Sequence, residues 1–151
     1  MTERNDNHYM NKALQQAVIA EKYGEVPVGS LLVTEDGREF ATYNAPVSLH
    51  DTSAHAEIRA IRAACNAMEN YRLPGSTLYI TLEPCPMCAG AIIHARIGRV
   101  VYGTSDAKTG AVESVYQMLS DVRLNHQPDI TSGILAEQCS FILREFFRRR
   151  R

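Results

Sequence analysis

The stretch that decides the fold runs from Thr77 to Tyr102, TLYITLEPCPMCAGAIIHARIGRVVY. Thr77–Leu82 and Arg99–Tyr102 each read as a short apolar strand. Between them, Pro86 to about Ala95 reads as a helix, since proline suits a first helical turn. This order favours parallel pairing of the two strands. Their ends near Leu82 and Tyr102 then open toward one side, where α/β folds place a site.

Outward from this unit, Val28–Val33 reads as a buried strand, and Glu35-Asp36-Gly37 as a turn into a second strand through Tyr43. Met10, Ala13, Leu14, Ala17 and Val18 recur at helical spacing between His8 and Lys22. Ala54, Ile58, Ile61, Cys65 and Met68 form one stripe of an amphipathic helix, which Pro74-Gly75 ends. The polar loop Asn44 to Ser53 precedes it. Downstream, the loop from Gly103 to Gly110 leads to a helix around Ser114–Ser120, and Leu135, Cys139, Ile142, Leu143 and Phe146 mark a final helix. Strands alternating with helices after an initial hairpin predict an α/β sandwich with a mixed sheet. A single domain over residues 1–151 is expected at this length.

Composition narrows the class. The chain is 45% hydrophobic and 22% charged, ordinary for a globular protein. It has no apolar run long enough to span a membrane, and Met1–Asn7 lacks the apolar segment of a secretory signal. A cytoplasmic protein is the expectation. The net charge of −1 is uninformative, but Arg144 and Arg148–Arg151 crowd the end of the chain. They read either as a frayed solvated tail or as a phosphate-contacting one. Cysteines at this size suggest chemistry or burial rather than disulfides, and Cys65 and Cys139 lie on apolar stripes as core fillers.

Two segments carry chemistry: His55-Ala56-Glu57 and Pro84-Cys85-Pro86-Met87-Cys88. Cysteines three apart at a helix start can aim both sulfurs at one point, where the helix N-terminus favours thiolates. Thiolates with an imidazole form a zinc-type ligand set. Cys-x-x-Cys alone also serves redox and structural-zinc sites. No second Cys-x-x-Cys accompanies it, however, and three protein ligands leave the open position of a catalytic metal. Glu57 beside His55 supplies an acid/base group. Residues two apart on a helix point away from each other, so His55 and Glu57 converge only if His55 sits at the helix entrance. Asp51-Thr52-Ser53 is a plausible cap region there.

Together with Glu25-Val26-Pro27-Val28-Gly29, Ala54-His55-Ala56-Glu57, Asn70-Tyr71-Arg72-Leu73, Thr81-Leu82-Glu83-Pro84-Cys85, Asp106-Ala107-Lys108-Thr109-Gly110-Ala111 and Phe146-Phe147-Arg148, these motifs make the chain resemble the bacterial tRNA adenosine deaminase family along nearly its whole length. The resemblance implies a cytidine deaminase-like fold, an α/β three-layer sandwich with a mixed five-stranded sheet flanked by helices. It also implies one zinc ion (Zn2+) per chain held by His55, Cys85 and Cys88, and Glu57 as proton shuttle. It implies hydrolysis of adenosine to inosine at the wobble position of a tRNA anticodon loop, by a homodimer that binds the anticodon stem-loop. It also implies that Asn44, in Asn44-Ala45-Pro46, contacts the target base. The chain departs from the family at Ser105 and Ala45, where a basic residue is common.

Lys108 follows a strand that should end near the site and is a candidate substrate contact. Asp106 could accept from a ribose 2′-OH or simply form a turn. Tyr71 is read as core rather than stacking platform, and His94 as a surface residue rather than a fourth ligand. His50 and His126 are loop residues open to solvent or RNA. Two other functions remain: a deaminase of free guanine, cytosine or a nucleoside, and a non-catalytic zinc module that binds RNA or protein. Fragments resembling β-lactamase and phosphate-loop motifs around Gly103–Gly110 lack their companion residues and carry no weight.

Overall fold

The computed structural model describes residues 2–150. Its elements are α1 (Thr2–Lys22), β1 (Gly29–Val33), β2 (Glu39–Tyr43), α2 (Ala56–Met68), β3 (Thr77–Leu82), α3 (Pro86–Ala95), β4 (Arg99–Thr104), β5 (Asp129–Ser132) and α4 (Ala136–Arg149). They build one five-stranded sheet in the order β2-β1-β3-β4-β5. β1 pairs antiparallel with both β2 and β3, while β4 pairs parallel with β3 and β5. This is the expected mixed sheet.

Successive strand residues point to opposite faces, so apolar neighbours serve two cores at once. Leu32, Leu78, Ile80, Val100 and Tyr102 pack under α2 and α3. Leu31, Tyr79 and Val101 pack against Met10 and Ala13 of α1 and Cys139 of α4. The three layers follow from that alternation. Cys139 is buried and Cys65 half-buried against the core, both as expected.

The structure departs from the sequence reading in four places. β5 falls in Asp129–Ser132, a stretch whose apolar content is too low to mark a strand. The helix expected around Ser114–Ser120 is a single 3-10 turn, Met118–Ser120. The amides of Val115 and Tyr116 bond to the Gly110 carbonyl and that of Met118 to Ala111, spacings too long for a regular helix, while Val112, Glu113 and Ser114 donate to a side chain. Tyr71 is 72% exposed, with the Arg72 guanidinium 5.1 Å from its ring, and is no part of the core. The helix α4 continues through Arg149, so Arg148 and Arg149 are helical rather than frayed. Arg151 lies outside the described residues.

Two contacts lock α1 to the sheet. Asp6 is buried, takes both guanidinium nitrogens of Arg99 at 2.6 and 2.8 Å, and accepts from the Tyr79 hydroxyl at 3.0 Å. Farther along, the Ala13 and Ala17 turn presses on Gly29 at the start of β1. A Cβ at Gly29 would lie 2.0 Å from the Ala13 carbonyl oxygen and 2.5 Å from the Ala17 nitrogen. Both obstacles are backbone, so no rotamer relieves them. Gly29→Ala is therefore expected to cost about 3 kcal/mol of stability in urea unfolding. A loss below about 1 kcal/mol would show that α1 slides freely on the sheet.

Candidate active site

Each half of the zinc-type motif stands at a helix N-terminus. His55 is the N-cap of α2, with extended backbone (φ −67°, ψ 153°), and Glu57 lies in the first turn. The extended entrance residue lets the imidazole reach back beside Glu57, which resolves the geometric conflict of a two-residue spacing. Asp51 does not cap the helix. It accepts from the Ser53 amide and hydroxyl at 2.9 and 2.7 Å, closing a turn ahead of it. Cys85 is the N-cap of α3 (φ −79°, ψ 174°), Pro86 is at its first position and Cys88 lies in its first turn.

The two helix starts converge. His55 Nδ1 lies 3.6 Å from Cys85 Sγ and 3.4 Å from Cys88 Sγ. All three ligand atoms fall within 4.8 Å of one another. A tetrahedral ion with Zn–N and Zn–S bonds of about 2.1 and 2.3 Å would separate nitrogen from sulfur by about 3.6 Å. The donor set and its spacing thus fit zinc. Helix N-termini on both sides favour the thiolate charge.

Electrostatics sort the groups. The Cys88 thiol beside Cys85, with His55 assisting, brings the Cys85 thiol down to about 4 against its burial. The contact with Cys85 raises His55. Glu57 is buried, and burial pushes its carboxyl up to about 7, opposed by its own backbone amide and by His55. A carboxyl poised near neutrality suits a group that takes up and returns a proton.

A pocket of about 260 Å³ opens over this cluster, lined by His55, Glu57, Cys85, Asn44, Pro46, Asp106 and Thr109 among others. Asn44 is buried on one wall, where its Nδ2 donates to the Val26 carbonyl at 3.2 Å. Asp106 is on the other wall. Its carboxylate accepts from the amides of Lys108 and Thr109 at 3.0 and 3.3 Å and from the Thr109 hydroxyl at 2.8 Å, as a turn-forming aspartate does.

Lys108 is exposed and lies apart from the pocket. It shares a second groove of about 700 Å³ with Ser105, Arg144, Phe147, Arg148 and Arg150. Arg150 stacks 4.1 Å over the Phe146 ring, and Arg148 pairs with Glu145 at 2.6 Å. His94 and His50 are exposed, away from the ligand cluster. His126 is a loop clip, its Nε2 2.6 Å from the Ile97 carbonyl.

Two residues that build the pocket escaped the sequence reading. Glu83 is buried between β3 and the Pro-Cys motif, and accepts from the amides of Asp106, Val112, Glu113 and Ser114 at 2.8 to 3.1 Å and from the Ser114 hydroxyl. Burial alone would raise its carboxyl, but these donors overrule it and hold the group down at about 2. Glu25, also buried, accepts from the Val47 and Ser48 amides at 3.3 and 2.6 Å and from the Ser48 hydroxyl at 2.6 Å. Their signal was present, since each is a lone acid set against an apolar run.

Comparison with known proteins agrees with this geometry. Residues 3–104 match the family described as the cytidine and deoxycytidylate deaminase zinc-binding region. The tRNA-specific adenosine deaminase of Agrobacterium fabrum is 49% identical over 152 residues, covering 100% of this chain and 98% of that protein. The Haemophilus influenzae protein of the same name is 49% identical over 148 residues, 97% of this chain and 85% of its own length. A solved structure from work on A-to-I editing by tRNA:A34 deaminases at the wobble position of transfer RNA superimposes with a TM-score of 0.86 at 47% identity, covering 90% of this chain and 99% of that one. The chain belongs to the tRNA-specific adenosine deaminases, within the zinc-binding cytidine and deoxycytidylate deaminase family.

Proposed function

We infer that this chain hydrolyses adenosine to inosine at the wobble position of a tRNA anticodon loop. The observation that carries the reading is the convergence of His55, Cys85 and Cys88 beside buried Glu57, under a pocket sized for a single base. Its near-full-length kinship with tRNA-specific adenosine deaminases supplies the substrate. We place the protein in the cytoplasm with its RNA, as a homodimer on the anticodon stem-loop. Among the described residues, no helix is long and apolar enough to cross a membrane.

In this mechanism His55, Cys85 and Cys88 hold the zinc. When bound, zinc supplies Lewis-acid chemistry that lowers the pKa of water toward about 7. Glu57 carries one proton of the water to the ring nitrogen N1 of adenine as the water oxygen bonds to C6. It then carries the remaining hydroxyl proton to the leaving amine, so that ammonia departs and the C6 carbonyl forms. Asn44 orients the base, its amide already tethered to Val26. The nucleotide must leave its stack, at a cost of a few kcal/mol that is smaller in a loop than in a duplex. Asp106 lines the pocket wall opposite Asn44, and we assign it to the ribose 2′-OH. Lys108, with Arg144, Arg148 and Arg150, lines the groove along which the phosphates would run.

Three measurements test this reading. Elemental analysis is expected to find one zinc per chain, most of it lost in Cys88→Ala, and full retention would remove the ligand assignment. Glu57→Ala should keep its zinc and fold yet lose turnover, and activity within tenfold of the parent would move the proton shuttle elsewhere. Turnover of limiting stem-loop RNA should fall steeply with salt, while free adenine, guanine and cytosine stay unreacted at every ionic strength. Replacing Arg144 and Arg148 by Gln should flatten the log–log salt slope by about 1.4, two phosphates' worth on a single strand. Brisk, salt-insensitive turnover of a free base would sink the RNA reading. An unchanged slope would sink only the role of the groove.

A further inference from the structure

We propose that Glu25 and Glu83 are positioning residues, two water-excluded carboxylates that each pin one wall of the substrate pocket. The proposal rests on the deaminase reading only for the identity of what the pocket holds.

Both side chains are almost completely buried, at 1% and 2% exposure. A buried carboxylate ordinarily answers to a cation. Among the described residues, neither forms an ion pair. Their partners are the main-chain and hydroxyl donors of two irregular loops. Glu25 fastens Val47 and Ser48, just past Asn44 and Pro46 on one wall. Glu83 fastens Asp106 and Val112 to Ser114, on either side of Thr109 on the opposite wall.

The physical need is plain. These segments have no strand partner, and the N–H groups that they turn inward find their acceptors in the two carboxylates. One carboxylate offers four lone pairs, and hydrogen bonds to it are about twice as strong as neutral ones. The chain also makes room for it, because a Cβ at Gly110 would stand 2.4 Å from the Glu83 carboxyl. Since Glu83 lies two residues before Cys85, one strand end sets both a metal ligand and a wall. The pocket is thus shaped before the nucleotide arrives.

Loosening a wall should act on catalysis more than on affinity. Most tRNA affinity comes from phosphate contacts remote from the pocket, whereas a misplaced reacting base costs rate. The test compares Glu83→Gln, Glu25→Gln, Glu25→Ala and the gentler Ser114→Ala and Ser48→Ala with the parent. Each is loaded with zinc, its metal content is measured, and it is assayed on an anticodon stem-loop and by amide hydrogen exchange.

Both oxygens of Glu83 only accept, so Gln turns one into a donor facing donors. Exchange of the Asp106 and Val112–Ser114 amides should rise on the order of 10- to 100-fold, with β3 and β4 unchanged. On the stem-loop, kcat should fall on the order of tenfold or more, with KM within about threefold of the parent. Ser114→Ala should show the same pattern weakly, and it carries the comparison if Glu83→Gln fails to fold. Glu25→Gln should recover part of what Glu25→Ala loses, because one oxygen still accepts from Ser48.

Parental protection in these loops would overturn the proposal. So would faster exchange spread evenly over the sheet, or an unchanged kcat in zinc-replete protein with loosened loops. A parent that leaves tRNA unmodified would instead sink the function reading, and the exchange data would decide the two carboxylates on their own.

Discussion

An imidazole nitrogen and two thiol sulfurs, from segments thirty residues apart, meet within a few ångströms, and the architecture is organised around that convergence. The solution is two helix N-termini brought together beside the carboxyl end of the central strand β3. A residue at a helix entrance keeps an extended backbone, so its side chain is free of the helical period and can aim backward. His55 and Cys85 both stand at such entrances, and Cys88 and Glu57 follow in the first turns. The partial positive charge of those ends falls where thiolate charge must be held. The parallel pairing of β3 and β4 frees the end of β3 for this use, and the crossover helix between them is the one that carries both cysteines.

That arrangement was largely legible in the sequence because it rests on local patterns. Thr77–Leu82 and Pro86–Ala95 have the bounds that their apolar content and proline indicate. The grouping of His55, Cys85 and Cys88 was legible from residue type together with the family resemblance. What could not be read was set by long-range polar contacts. β5 borrows its regularity from β4, since only Ile130 and Thr131 of its four residues favour a strand and Asp129 and Ser132 flank them. The segment after Gly110 reads as helical in the sequence, but its turns close on Gly110 and Ala111 over five to seven residues, around the Glu83 carboxylate. Tyr71 has the chemistry of a core residue and sits outside because no apolar face covers it. The aspartate reading left two outcomes open for Asp106, and its side chain makes the turn.

The pocket therefore has two kinds of support. The metal end stands on helices and strands, whose backbone groups satisfy one another. The substrate end stands on loops, whose backbone groups are satisfied by buried acids. This division leaves the chemistry in the rigid part of the molecule and recognition in segments that tolerate sequence change. Departures at Ala45 and Ser105 fall in the second category, one on each wall-forming loop.

The contact of Asp6 with Arg99 also bears on how the chain acquires its shape. It ties the first turns of α1 to the start of β4, across a sequence separation of 93 residues. Contacts of such long range make for high contact order and slow folding, because the intervening loop must close before they repay it. During synthesis, the alanine face of α1 can be covered by β1 as soon as that strand emerges, but Asp6 waits for its cation. The partner arginine leaves the ribosome only after β1, β2, α2, β3 and α3 have been made. Nascent chains shorter than that carry an aspartate without its ion pair, and the Asp6 end of α1 can be sealed to the sheet only late in translation.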